Sequence, residues 1–354
     1  MSIPTEPIGS MPRPPQLLAA MTSFSAGLID KAALEEAFSH ALDDTIARFE
    51  ATESPIISDG EQTKPSFATY PLAGLTTLAP DGVVLAFADG HTRQLPRLTA
   101  GPFRYATHAA SYTEAAKLRT SRPLKQAVIS ASAISLIYPQ QAIAGYPREQ
   151  FLSDLVNEAE ADIRGALDAG ASVVQIDFTE ARLSLKLDPS GGLLRSFIAL
   201  NNQVLDRFSE AQKTRIGVHV CPGGDRDSTH SADIDYALLL PDLLGMHAGR
   251  FYLQMASEPE RERMLTLVRD HAGPGKMIFV GVIDPIDRRL ETAEEVRDRV
   301  LQAASIIPVE QLGTTDDCGF APFADDTSTA RDLAFAKIKA RVEGTALAAQ
   351  QLGA

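Results

Sequence analysis

The chain has 354 residues, 44% of them hydrophobic and 22% charged, which is ample material for a large core and rules out a disordered tail. Its 33 basic residues against 46 acidic ones give a formal charge of −13, which repels phosphate backbones and anionic lipid and argues against nucleic acid as a partner. No stretch approaches the roughly 18 uncharged apolar residues of a membrane span, and the start (MSIPTEPIGSMPRPP) has no basic, then apolar, secretory signal, so a cytoplasmic protein with no membrane partner is expected.

In chain order, Ile3–Ser10 reads as a strand before the helix Asp30–Ala51, and Pro55–Ser58 as a second strand ending in Asp59-Gly60-Glu61. Segment 62–123 holds a hairpin-like stretch (GVVLAFADGHTRQLP) where one helix is expected, and reads as an insertion over one face. Six nearly continuous apolar runs follow: Gln126–Ser132, Ser172–Phe178, Arg215–Cys221, Arg250–Ala256, Lys276–Asp284 and Val309–Thr314. Such runs suit strands buried on both faces. Helical patterns separate them at Arg148–Ala169, Gly192–Ala211, Asp233–Leu244, Glu258–His271 and Thr292–Ile306, and a last one covers Thr327–Gln350. Pro259 fits the first turn of its helix, and Asp326, Thr327 and Ser328 are candidate N-caps for the last. Arg331, Lys337, Lys339 and Arg341 on that helix read as a solvated face.

Six strand-helix units imply a parallel sheet, and the two N-terminal strands bring the count to eight. The expected fold is therefore α/β: a (β/α)8 TIM barrel with an insertion after the second strand, forming one catalytic domain over residues 1–354. An open doubly wound sheet is the weaker alternative, because no G-x-G-x-x-G follows any expected strand.

Barrel active sites lie at the C-terminal ends of the strands. The polar residues expected there are Ser10, Asp59, Glu61, Asp177, Glu180, His219, Cys221, Gln254, Asp284 and the turn Asp316-Asp317-Cys318-Gly319. His219 and Cys221 are two apart on a strand, so both point to one face. With Cys318 leaving the last strand, they form a borderline-soft donor set that suits Zn2+. A lone H-x-C pair is more often a core histidine and a core cysteine, so the spacing is only moderately specific. His230, in the loop after Cys221, is a candidate acid or a partner of the ligands.

Taken together and in this order, IGSMPRP at the start, DGE at 59–61, QID at 175–177, HVC at 219–221, GVID at 281–284 and DDCG at 316–319 resemble the cobalamin-independent methionine synthase family. The likeness spans the chain and matches the family's catalytic barrel in a short, single-barrel form. It implies a zinc-dependent methyltransferase that activates homocysteine, with His219, Cys221 and Cys318 as zinc ligands. Ser10, Glu61 and Asp177 are then the groups that hold the amino acid, with Asp177 also a catalytic candidate. Small-molecule partners follow: a thiol, and a methyl or alkyl donor such as 5-methyltetrahydrofolate.

The sequence departs from the family at three places. Gln254 stands near the family's glutamate zinc ligand, with Glu258 the nearest carboxylate. The chain has no tryptophan, so Tyr138 is the residue left to stack a folate. Ile286 and Asp287 replace a relay histidine. The last two departures argue against folate as the donor. Epoxyalkane–coenzyme M transferases of the same superfamily offer the alternative, thiol alkylation, whose sulfonate would need arginines; Arg13, Arg182, Arg226 and Arg288 are candidates by loop position.

Overall fold

A computed structural model describes residues 3–354. Its centre is a parallel sheet of six strands: β1 (Lys125–Ile129), β2 (Val173–Asp177), β3 (Ile216–Val220), β4 (Arg250–Leu253), β5 (Met277–Ile283) and β6 (Leu312–Asp316). They pair in sequence order from β1 to β6. The registers of β1 and β2, of β2 and β3, and of β3 and β4 set Ile129 opposite Asp177, Asp177 opposite His219, and His219 opposite Tyr252. Residues of β1, β2, β3 and β6 are buried throughout, including polar ones such as Lys125, Gln126, Thr314 and Asp316 beside the apolar majority.

The N-terminal segment closes the ring. Thr5 bridges Thr314 of β6, and Ile57 bridges Leu124 at the foot of β1, both in parallel. Between these seams Met11 N–H donates to Gly60 O at 3.0 Å and Ser58 Oγ to Gly9 O at 2.7 Å. The fold is a TIM barrel, but the two expected N-terminal strands shrink to single-residue bridges. Pro4, Pro7 and Pro55 lack the N–H that a longer ladder needs.

Segment 62–123 carries the expected hairpin, Val84–Ala86 against Thr92–Gln94, extended by Leu78–Ala79 against Arg97–Leu98. It also holds a helix, Ala110–Lys117, immediately before β1. Elsewhere the helical patterns are trimmed. The expected helix Gly192–Ala211 stops at Leu205, and Ser209 caps a separate turn, Glu210–Lys213. Pro241 divides Asp233–Leu244 into two short turns. Pro259 precedes its helix rather than entering it, because Glu260 is the N-cap. The last helix begins at Arg331 after Ala330, while the Asp326 carboxylate is taken by Ser328.

The cations of that last helix also differ from expectation. Lys337 and Arg341 are fully buried rather than solvated. The helix lies against the sheet, where Lys337 Nζ meets Glu291 Oε2 at 2.7 Å and Arg341 pairs with Asp316 and donates to Thr5 Oγ1 at 3.1 Å. Buried charge survives only with such partners. Arg331 is partly buried on Asp44, and Lys339 alone is an exposed surface pair. Among the described residues no helix is long and apolar enough to cross a membrane.

Candidate active site

At the C-terminal rim β3 delivers His219 and, one step beyond its end, Cys221, while the turn after β6 delivers Cys318. Their donor atoms lie within 4.8 Å of one another. The two Sγ atoms are 3.2 Å apart, well beyond a disulfide bond, and both thiols are free. His219 is 1% exposed, and neither of its ring nitrogens has a hydrogen-bond partner. A buried imidazole without partners is costly. The Cys221 thiol and burial together push the Cys318 thiol well above its ordinary pKa. A cation between the three would reverse that cost, since coordination deprotonates a thiol outright. One nitrogen and two sulfurs fit Zn2+ and leave a position for a substrate.

Beside the trio lies a cleft lined by Ser10, Glu61, Asp177, His219, His230 and Cys318, among others. Local sequence explains how each arrives. Gly60 and Glu61 both adopt left-handed φ, +67° and +55°, and Asp59 Oδ1 accepts the Glu61 N–H at 2.9 Å, an Asx turn that aims Glu61 inward. Burial raises the Glu61 carboxyl, opposed by Lys64, whose Nζ donates to Glu61 Oε1 at 2.8 Å. Asp177 is raised by burial as well, against the field of His219 and the 2.7 Å bond from Gln175 Nε2. Ser10 faces Gly319 of the DDCG turn so closely that a Cβ there would stand 2.0 Å from Ser10 Oγ. Asp317 of the same turn accepts the N–H groups of Met255, Ala256 and Ser257 at 2.7–2.8 Å, tying it to the end of β4.

His230 is buried over Gly223, with Nδ1 at 2.8 Å from Ser231 Oγ and its ring 5.5 Å from that of Phe87. Desolvation, helped by Lys186, lowers its pKa to about 4, so it is neutral at pH 7. The hairpin of segment 62–123 roofs this cavity with Leu85 and Phe87. Buried Asp225 latches it: His91 Nε2 lies 2.9 Å and Arg93 Nε 2.6 Å from Asp225 Oδ2, and Ala88 N–H donates to Thr229 O at 2.9 Å.

Other residues singled out from sequence sit apart from the cavity. Tyr138 is not among its lining residues; its hydroxyl donates to Tyr146 O at 2.7 Å and its ring packs 5.1 Å from Phe151, so it belongs to the core. Gln254 lies near Cys318 with its amide engaged, Oε1 by Arg182 at 3.3 Å and Nε2 by Ser257 at 2.7 Å. Glu258 is held by Arg182 at 2.8 Å. Glu180, raised to about 7 by burial, is bonded to Ser130 and Ser132. None of the four arginines considered for a sulfonate lines the cavity. Arg13 donates to backbone carbonyls, Arg226 pairs with Asp325 and Arg288 with Asp227. Sequence reasoning missed Lys64, the counter-ion of Glu61, and the roof side chains Phe67 and Phe323. Only the hairpin pattern hinted at the roof.

The family profile described as "Cobalamin-independent synthase, Catalytic domain" matches residues 3–341. The chain is 23% identical over 352 residues to a methionine synthase of Saccharolobus solfataricus, covering 99% of this chain and 96% of that one. It is 24% identical over 322 residues to a 5-methyltetrahydropteroyltriglutamate–homocysteine methyltransferase of Nitratidesulfovibrio vulgaris, covering 90% and 39%. The structure of a B12-independent methionine synthase from a Shewanella species, in complex with selenomethionine, superposes with a TM-score of 0.78 at 20% identity, covering 99% of both chains.

Proposed function

Because this chain belongs to the family of cobalamin-independent synthase catalytic domains, we propose that it is a zinc-dependent S-methyltransferase whose acceptor is homocysteine or a close analogue. The observation that carries this reading is the trio His219, Cys221 and Cys318, with both His219 nitrogens buried and unpartnered, at the head of a cavity holding Glu61, Asp177 and Ser10. Zinc held by these three residues would supply the Lewis acidity that keeps an acceptor sulfur anionic near neutral pH.

The remaining work falls to the chain's own side chains. Glu61 and Asp177 bind the acceptor's ammonium group, and their charges favour the orientation that leaves the thiol at the trio. Ser10 and the Ile8–Ser10 backbone hold the carboxylate end. Leu85, Phe87, Phe67 and Phe323 exclude water from the reacting sulfur, which strengthens each charge interaction beneath them. Gln254 has its amide taken by Arg182 and Ser257 and brings no negative charge to the donor set. A cytoplasmic setting suits two free thiols.

Zinc-edge X-ray absorption on the purified protein, with and without homocysteine, tests the reading. The sulfur count is expected to rise from about two to about three on addition. An unchanged count with zinc present would exclude homocysteine as acceptor, and loss of thiol-dependent turnover in Cys221→Ser would tie the chemistry to the centre.

A further inference from the structure

A buried cation stands behind the carboxylates of the cleft. Lys64 Nζ donates to Glu61 Oε1 and to Ala127 O of β1, each at 2.8 Å, and sits 4.6 Å from the Tyr70 ring centroid. Those partners occupy the ammonium group, and Lys64 is fully buried and absent from the cleft lining, so it holds no ligand itself. Glu61 does line the cleft, and among the described residues no hydrogen bond reaches its Oε2. One oxygen of the carboxylate is fixed from behind, and the other is left for a ligand.

The cage around Lys64 is built by segment 62–123. Tyr70 offers its ring face, and its hydroxyl is held by Asp162, which also accepts the Ala109 N–H at 2.5 Å. Tyr112 packs edge-on to Tyr70 at 5.8 Å, with its own ring 5.6 Å from Nζ. A ring face attracts an ammonium group, so the two tyrosines keep the lysine on Glu61. Arg13 is the other cation nearby, but its guanidinium donates to backbone carbonyls, Glu61 O at 2.7 Å and Lys64 O at 2.8 Å among them. It clamps the turn without bonding to the carboxylate.

Charge decides what this arrangement does. Burial and the neighbouring Asp177 favour the neutral form of Glu61, against Lys64 and, more weakly, Arg13; Asp59 adds a further carboxylate beside it. A buried carboxyl among like charges takes up a proton unless a cation answers it, and a neutral carboxyl has little hold on an ammonium group. We propose that Lys64 is the positioning residue that makes the site selective for thiols bearing an amino group: by pinning Oε1 of Glu61 it presents Oε2 to the cleft, where the acceptor's ammonium group becomes the carboxylate's second cation. The inference rests on the S-methyltransferase reading and assigns its selectivity to a residue that the acceptor does not touch.

The test compares two thiols that differ only in the amino group, homocysteine and 4-mercaptobutyrate, by calorimetric titration of the zinc-loaded protein. At about pH 7, Lys64→Met should weaken homocysteine at least about tenfold and 4-mercaptobutyrate less than about twofold, with zinc content unchanged. The ratio of the two affinities cancels the ionisation of the thiol. In Lys64→Met that ratio should recover as the pH rises from about 6.5 to about 8.5, because Glu61 without its lysine ionises only at higher pH. A purely structural role would weaken both thiols alike at every pH. Glu61→Gln should lose the preference by itself, and adding Lys64→Met to it should weaken homocysteine less than about twofold further. That double variant removes both members of the pair and decides the matter if Lys64→Met does not fold. Equal loss of both thiols, an unchanged preference in Lys64→Met, or additive losses in the double variant overturns the proposal and leaves the S-methyltransferase reading standing. Failure of homocysteine to add a sulfur to the zinc of the unaltered protein removes that reading and the proposal with it.

Discussion

The two ends of the barrel interior treat polar groups in opposite ways. At the floor Glu6 Oε1 meets Arg250 Nη1 and Glu6 Oε2 meets the Tyr252 hydroxyl, both at 2.5 Å. Lys125 Nζ rests 3.2 Å from the Tyr252 ring centroid and 3.6 Å from Glu6 Oε2. Glu6 is answered from other parts of the ring, while Lys125 Nζ has the ring face and that carboxylate but no hydrogen bond. At the mouth, two residues further along β3 than Gly217, neither His219 nitrogen has a hydrogen-bond partner, and the thiols have each other and the Gly223 N–H, which donates to Cys221 Sγ at 3.4 Å. Conserving partners at one end stabilises the fold, and withholding them at the other leaves a centre ready for a ligand.

The widest separation of the two ends comes from the thiols. Cys318→Ser should reduce zinc affinity by at least about a hundredfold, read by metal stoichiometry after dialysis, while shifting Tm by less than about 2 °C. A large fall in Tm would mean that the mouth also holds the barrel together. Next in size, Arg341→Met strands the buried Asp316 carboxylate on the outer side of β6 and should cost about 3–5 kcal/mol in denaturant unfolding, with the folded fraction still taking up zinc. An unchanged midpoint would show that this pair contributes nothing.

A smaller effect is expected from Gly319→Ala, whose Cβ would press on Ser10 Oγ. The KM for homocysteine should rise roughly tenfold with zinc content and Tm nearly unchanged; a kcat loss alone would place Ser10 outside acceptor binding. The smallest change should come from the floor. Burial lowers Lys125 from 10.5 to about 7. Between those values the unfolded chain holds a proton that the folded chain has released, so stability rises with pH across that window and the cost of the buried lysine is full below about pH 7. Lys125→Met, which leaves Glu6 bonded to Arg250 and Tyr252, should raise Tm by about a few °C at pH 6, with the gain shrinking toward pH 9. A gain independent of pH would assign the effect to packing instead.

The strands were readable from sequence because a strand buried on both faces is mostly apolar, as in MIFVGVI of β5; β6, LGTTD, is buried too but largely polar, and Val309–Gln311 of the expected run form a 3-10 turn before it. The pairing of His219 with Cys221 followed from the period of two along a strand. What stayed hidden was whatever depends on a partner far along the chain. Lys337 and Arg341 look like any solvated helix face until Glu291 and Asp316 are found beneath them. Lys64 is one more lysine in a loop until the left-handed turn at Glu61 brings a carboxylate to it. Tyr138 stands at a position suggested by resemblance, but no local pattern could show that its hydroxyl turns back to Tyr146. The N-terminal strands were overextended because proline's missing N–H limits pairing without removing the apolar character that marks a strand.

The seam at Thr5 has a kinetic consequence. Its contacts reach Thr314 and Arg341, the latter 336 positions away in sequence, so the segment around Thr5 waits for β6 and the helix Arg331–Leu352 before the ring can shut. Contacts of such sequence separation are entropically late in folding. Ser10 lies just beyond that seam and Cys318 just beyond its partner strand, so the reaction centre is assembled in the closing step. The appearance of zinc-binding competence during refolding should therefore lag the gain of helical signal, and its rate would time the closure of the barrel.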